Sequence, residues 1–149
     1  MKTIVCGVDG SQGARTAVRI AAGLADELGA RLVAVHVLDR LSDESQGAER
    51  VAASVLYDEV PDVQAQARGE VGDVAERLAA VAADEDATMI VLGARSRGRA
   101  RASVRTRCAA ELAELTAVPI LIAPLQLAAL APRRGPRLNE QEVQRPAAS

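Results

Sequence analysis

Residues 89–107 read MIVLGARSRGRARASVRTR, and this stretch decides the fold class. Four apolar residues, Met89 to Leu92, indicate a buried strand that turns at Gly93. The remainder carries six arginines and no acidic residue, and it leads into a helix. A buried strand that ends at a glycine and feeds a helix through a loop is typical of α/β proteins, which present backbone N–H groups to phosphate at such a turn.

The arginines of this segment leave two interpretations open. They are Arg95, Arg97, Arg99, Arg101, Arg105 and Arg107. Positive charge near a helix N-terminus, where the macrodipole is already positive, is unfavourable unless an anion or solvent offsets it. The segment therefore either binds an anion or is a solvated surface loop. Nucleic acid is the least favoured anion, because no aromatic residue alternates with the arginines to stack on bases.

The composition bounds the class of protein. The chain has 149 residues, which is the size of one ordinary domain, and its net charge of −2 gives no sign of a nucleic-acid or membrane partner. With no Phe, no Trp and a single Tyr, its core must be built from small aliphatic side chains. The two cysteines, Cys6 and Cys108, form neither a disulfide framework nor a metal-ligand spacing, so no metal site is predicted. No secretory leader and no apolar run of about 20 residues is visible, which predicts a cytoplasmic protein.

Apolar runs alternate with helical patterns along the chain. Strands are predicted at residues 3–8, 31–38, 63–70, 89–92 and 120–123. Ser11 is a candidate N-cap for a helix that ends before Gly29, Ser42 or Asp43 opens a second helix, and Asp73 caps a third. Strand–helix alternation of this kind predicts a doubly wound parallel sheet with helices on both faces.

The sequence divides into a domain and a tail. The alternating pattern covers residues 1–124, and residues 125–149 form a tail. The start of the tail, Leu125 to Ala131, either adds a helical turn or docks on the core. From about Pro132 onward the tail lacks apolar periodicity, and disorder is predicted there.

Four segments carry a resemblance to the universal stress protein family. IVCGVDGS resembles the family's first strand and turn, AVHVLD its second strand, GDVAERL the start of its third helix, and VLGARSRGR followed by VPILIAP its fourth strand, loop and last strand. The resemblance covers roughly residues 1–124 and implies a five-stranded sheet in the order 3-2-1-4-5. Strands one and four are then neighbours, which places Asp9 and Gly10 beside Gly93 at a topological switch point, where α/β sheets bind ligands.

The resemblance implies an adenine-nucleotide site that this sequence keeps only in part. The family's nucleotide-binding members carry a glycine, two residues, a second glycine, nine residues, and then Gly-Ser or Gly-Thr. Here those positions are Gly93, Ser96 and Thr106-Arg107, so only the first glycine survives. The candidate site residues are Gly7, Asp9, Val37, Gly93, Ser96, Arg97, Thr106, Arg107 and Cys108. Arginine binds phosphate directly, so the site is either rebuilt by arginine or filled by it.

Several of these residues have a structural interpretation as well. Asp9 before Gly10 and Ser11 is a turn and capping residue in its own right. His36, between two valines and without a carboxylate or thiol partner in the sequence pattern, is interpreted as structural, and Cys108 as a packing residue. No Ser/His/Asp or Cys/His arrangement is visible, which argues against an enzyme.

The sequence therefore leaves three functional hypotheses. The first is a non-catalytic regulatory or stress-response protein with degraded nucleotide binding, a homodimer that pairs through Ile120, Leu121, Ile122 and Ala123. The second is an ATP sensor whose phosphate site is rebuilt by arginine. The third is a module that contacts anions or nucleic acid through the arginine segment.

Overall fold

A computed structural model describes residues 1–38, 45–94 and 102–125, with the side chains of Ser45 and residues 102–107 excepted. The strands are β1 (Thr3–Gly7), β2 (Arg31–Leu38), β3 (Ala65–Val71), β4 (Met89–Gly93) and β5 (Ile120–Ala123). The helices are α1 (Gln12–Leu28), α2 (Ser45–Glu59), α3 (Val74–Asp84) and α4 (Ala102–Leu115). All strand pairs are parallel and the order is β3-β2-β1-β4-β5, which confirms the predicted fold class.

Helix α1 begins and ends where the sequence predicts. The Ser11 hydroxyl accepts a hydrogen bond from the N–H of Ala14 at 3.2 Å, which satisfies one of the free donors of the first turn. Gly29 closes the helix in the left-handed conformation, with φ of 62°. Asp73 caps α3 in the same way, because its carboxylate accepts from the N–H of Glu76 at 3.0 Å. The predicted start of α2 at Ser42 or Asp43 lies outside the described residues.

The third strand is displaced from its predicted position. It runs over Ala65–Val71, whereas the apolar pattern predicts a strand over residues 63–70. Val63 belongs to the turn that follows α2, since its N–H donates to the carbonyl of Val60 at 3.0 Å. A backbone bond inside this turn outweighs the β-propensity of one valine.

The core lies on both faces of the sheet. On one face, Ile4 and Cys6 of β1 pack with α1 and α2; on the other, Val5 packs with α3 and α4. Successive residues of a strand point to opposite faces, so a strand that is covered on both sides must be apolar throughout. Cys6 is completely buried, as its place in the apolar run of residues 3–8 predicts.

Candidate functional site

A cavity of about 290 Å³ opens at the carboxyl ends of the central strands. The strand order places the end of β1 between β2 and β4, and β1 and β4 carry connections to opposite sides of the sheet. This is the switch point at which an open α/β sheet leaves a crevice. The cavity is lined by Gly7, Val8, Asp9, Val35, His36, Val37, Val74, Leu78, Leu92, Gly93, Ala94, Cys108, Ala109 and Ile122.

The structure brings part of the sequence-derived candidate set together around this cavity. Gly7, Asp9, Val37, Gly93 and Cys108 all line it. Ser96 and Arg97 lie outside the described residues. Thr106 and Arg107 belong to α4 by their backbone, but their side chains also lie outside the described part of the chain.

Gly93 serves a different purpose from the one that the turn pattern indicates. Its φ is not among the positive values of the described glycines, so the turn does not require it. A Cβ at Gly93 would instead lie 2.4 Å from the carbonyl carbon of Gly13, in the first turn of α1. A Cβ at Gly13 would lie 1.9 Å from the carbonyl oxygen of Ala94. Two glycines therefore let the end of β4 contact the start of α1 directly, and this contact fixes the position of the cavity wall.

Asp9 holds the turn that leads into α1. Its carboxylate accepts a hydrogen bond from the N–H of Ser11 at 3.0 Å, and Gly10 beside it has a φ of 77°, which favours glycine. The carboxylate is exposed at the cavity mouth. The structural interpretation of Asp9 is thus confirmed, and Asp9 also lines the cavity.

His36 joins the ends of two strands. Its Nδ1 lies 2.6 Å from the carbonyl oxygen of Val8, just beyond the end of β1. Because a carbonyl only accepts, Nδ1 carries the proton, and in the neutral ring Nε2 is an acceptor. The half-buried ring therefore has the structural role that the sequence predicts, but it also lines the cavity, which the sequence pattern did not show.

The peptide group of Val37 faces the cavity side of β2. The Val8 N–H donates to the carbonyl of Val35 at 2.8 Å, and the Gly72 N–H donates to the carbonyl of Leu38 at 2.9 Å. Peptide groups alternate in direction along a strand, so Val37, like Val35, points toward β1 rather than β3. The register of β1 ends with Gly7 opposite Val35. Among the described residues, no strand continues beside Val37 to pair with its N–H and carbonyl.

The two cysteines differ in accessibility. Cys6 is fully buried, and this burial raises the pKa of its thiol to about 12. Cys108 is half-buried on α4 and lines the cavity. Neither is in a disulfide. A thiolate is the reactive form, so a thiol reagent reports on the cavity through Cys108 while Cys6 stays inert.

The helices supply cavity residues that sequence reasoning missed. Val74 and Leu78 come from α3, and Ala109 comes from α4. These are ordinary apolar positions of amphipathic helices, and no local signal separates a side chain that lines a cavity from one that fills a core. Only the packing of α3 and α4 over the ends of the strands does so.

The described part of the chain also bears on metal sites and on membrane-spanning helices. Within residues 1–38, 45–94 and 102–125, no group of three or more His, Cys, Asp or Glu side chains is placed to hold a metal ion. No helix in this part of the chain has the length and apolar character that crossing a membrane requires.

Comparison with solved structures gives the same fold. The universal stress protein from Archaeoglobus fulgidus is 23% identical to this chain and superposes on it with a TM-score of 0.67. The matched region covers 83% of this chain and 98% of the Archaeoglobus chain. A universal stress protein family member from Burkholderia pseudomallei is 27% identical, with coverage of 83% and 96% and a TM-score of 0.64. A universal stress protein in complex with cAMP is 21% identical, with coverage of 84% and 98% and a TM-score of 0.63.

Family membership rests on the sequence itself. Among curated proteins no match was found. The model of the universal stress protein family, however, matches residues 1–124, which span all five strands and all four described helices. The chain belongs to the universal stress protein family.

Proposed function

We propose that this protein is a non-catalytic regulatory protein of the stress response that binds the adenosine part of an adenine nucleotide in the cavity between β1 and β4. The observation that carries the proposal is the combination of an apolar cavity, a peptide group at Val37 that no described strand pairs with on the β1 side, and a carboxylate at the cavity mouth. At about 290 Å³, the cavity is just below the usual range of ligand pockets, about 300–1,000 Å³. This size favours a nucleoside over a larger ligand.

The adenine end is supported by the chemistry of β2. An adenine ring presents a donor, its amino group, next to an acceptor nitrogen. The N–H and carbonyl of one residue in a strand point to the same side, so Val37 offers one acceptor and one donor to match this edge. Leu78 and Leu92 supply apolar surface for the faces of the ring.

The ribose end is supported by Asp9. A carboxylate accepts hydrogen bonds from hydroxyl groups, and Asp9 stands at the mouth of the cavity. The solved family member in complex with cAMP shows that the fold accepts an adenine nucleotide in that protein.

The phosphate end is the degraded part of the proposed site. Ser96 and Thr106 stand where the family's nucleotide-binding members have glycine, and Arg107 stands where they have a small hydroxyl residue. A Cβ keeps phosphate oxygens away from the backbone N–H groups. We therefore expect adenosine, AMP and ATP to bind with affinities within about tenfold of one another, which is about 1.4 kcal/mol.

Titration calorimetry with a matched pair of variants tests this proposal. Ala109→Leu places extra volume in the cavity, whereas Ala110→Leu adds the same volume on an exposed position of the same helix. We expect Ala109→Leu to weaken AMP binding at least tenfold and Ala110→Leu to leave it unchanged. Equal effects, or no heat with the unaltered protein and millimolar AMP, would contradict the proposal.

Asp9 variants separate the ligand role from the turn. Asp9→Asn keeps an oxygen for the Ser11 N–H, while Asp9→Ala removes it. Both variants should weaken AMP binding, and only Asp9→Ala should also lower the melting temperature. A thiol reagent gives an independent readout: bound AMP should slow the labelling of Cys108, while Cys6 stays unlabelled in either state.

The ATP-sensor hypothesis differs from this proposal in the sign of one effect. If Arg107 holds phosphate, Arg107→Ala weakens ATP binding through the loss of a charge-assisted contact. If Arg107 instead fills the phosphate region of the site, Arg107→Ser strengthens ATP binding. Because the pure protein has no Trp and one Tyr, copurified nucleotide is detected directly near 260 nm. We favour the filled site, because Ser96, Thr106 and Arg107 replace three of the four small residues of the family loop.

A further inference from the structure

Thr16 is buried at a position where helix geometry puts it on the outside. The buried residues of α1 include Ala14, Val18, Ala21 and Ala25, which centre on one face of the helix. At 100° per residue, Thr16 lies nearly opposite this face. It is nonetheless only 2% exposed, and its hydroxyl oxygen lies 2.9 Å from the carbonyl oxygen of Leu125 and 3.2 Å from that of Gln12 in its own helix, so its one proton is donated to the nearer carbonyl or shared by both. The chain that follows β5 therefore crosses the outer surface of α1 at this point.

A track with apolar residues leads from Thr16 on the outer face of α1 toward the flank of the helix. Ile20 and Leu24 follow at steps of four residues and are only partly buried, and they pack against the same core cluster as Leu121 of the edge strand β5. Gly23 lies beside them, exposed, and a Cβ there would meet nothing within 4 Å. A glycine inside a helix weakens it relative to alanine, and no described neighbour requires this one. We define Thr16, Ile20, Gly23 and Leu24 as the α1 track.

We propose that residues 126–131 of this chain dock along the α1 track. Their sequence, QLAALA, is apolar, and it continues directly from Leu125, which is already held at one end of the track. Six extended residues span at most about 20 Å, whereas Thr16 and Glu27 are about 17 Å apart along the helix axis. The segment is therefore long enough to cover the track from end to end.

Charge complementarity supports a docked segment that runs from the N-terminal toward the C-terminal end of α1. The last turn of α1 carries Asp26 and Glu27, both exposed, and no basic residue, at the end where the helix dipole is negative. The residues that follow the apolar segment include Arg133 and Arg134. An apolar segment followed by arginines thus meets an apolar track followed by carboxylates. This docking does not depend on nucleotide binding.

Substitutions in the full chain test the docking by its effect on stability. Leu127→Asp with Leu130→Asp puts two charges into the docked segment, and we expect the melting temperature to fall by roughly 5 °C. Leu138→Asp with Val143→Asp adds the same two charges farther along the tail, in place of a leucine and a valine, and we expect the melting temperature to shift by less than about 1 °C. Equal shifts from the two double variants would overturn the proposal.

A cross-link identifies the occupant directly. With Cys108→Ser in place, Gly23→Cys combined with Ala129→Cys should form a disulfide within one chain on mild oxidation. We expect it to form at least tenfold faster than when Ala147→Cys replaces Ala129→Cys. Equal rates would exclude docking. A disulfide that joins two chains would assign the track to a second copy of the protein and would equally overturn the proposal.

Discussion

The two edges of the sheet differ in what they offer to a neighbouring molecule. Next to the β3 edge, Arg68 forms ion pairs with Glu70 at 2.7 Å, Asp84 at 3.2 Å and Glu85 at 3.3 Å. Arg31 also pairs with Glu85. Strand β5, by contrast, consists of Ile120–Ala123 and has no charged residue. Ile122 is 58% exposed there, which is unusual for isoleucine.

Hydrogen-bond direction sharpens the contrast at β5. The Ile90 N–H donates to the carbonyl of Pro119, and the Ala94 N–H donates to the carbonyl of Ala123, both at 2.9 Å. Peptide groups alternate along a strand, so Leu121 also faces β4, while Ile120 and Ile122 face outward. Charged side chains are a common protection of an edge against pairing. We therefore propose that the protein is a homodimer that pairs through the outward groups of β5 and leaves β3 free.

Two neighbouring prolines should give the largest and most different effects. Leu121→Pro removes an N–H that faces β4, and we expect a loss of about 3 kcal/mol in folding free energy, which lowers the melting temperature by roughly 10 °C. Ile122→Pro removes an outward N–H and leaves the β4 ladder intact, as edge strands tolerate. It should keep the fold and yield a monomer in sedimentation velocity.

The reverse result, a dimeric Ile122→Pro protein, would mean that β5 does not form the interface. An unaltered protein that sediments as a monomer at high micromolar concentration would exclude the dimer altogether.

A lysine in each edge compares them under the same chemical change. Ile122→Lys puts a charge on the exposed position of β5, and a symmetric dimer receives it twice. We expect its dissociation constant to rise by about 100-fold, or about 2.8 kcal/mol. Gln66→Lys makes an exposed charge on β3 and should leave association unchanged. If both lysine variants weakened dimer formation equally, the dimer interface would not be specific to the β5 edge.

The ion-pair cluster of β3 should contribute modestly to stability. Arg68→Met leaves Glu70, Asp84 and Glu85 without their shared cation. The Arg68 side chain is 28% exposed, so solvent screens the cluster, and we expect a loss of about 1 kcal/mol. Arg50→Met, on an exposed position of α2, should cost less than about 0.5 kcal/mol. Denaturant unfolding in low and high salt checks this, because the Arg68 effect should shrink as salt rises.

The sequence was sufficient for the sheet and insufficient for the side chains around the cavity. Continuous apolar runs such as residues 89–92 are local signals, and the family resemblance implies the strand order. The turn pattern assigns Gly93 to the turn, whereas the structure shows that a side chain at Gly93 would collide with the backbone of Gly13, which is distant in sequence. Ala109 lines the cavity only because α4 crosses the strand ends. Contacts between distant segments leave no periodic trace in the chain, and this is why such residues were missed.

The smallest effect is expected from the part of the tail that lies beyond the proposed docked segment. Residues 132–149 contain Leu138 and Val143 as their only large apolar residues, with four arginines and two glutamates. Their sequence lacks an apolar periodicity, and a surface ion pair of the kind proposed for Arg133 or Arg134 contributes at most about 1 kcal/mol. Truncation after Ala131 should therefore shift the melting temperature by less than about 3 °C. Sedimentation velocity should show that the oligomeric state is unchanged. If truncation after Ala131 dissociates the dimer, then β5 does not hold the interface alone. The difference in association between the two edges of the sheet would then come from the tail.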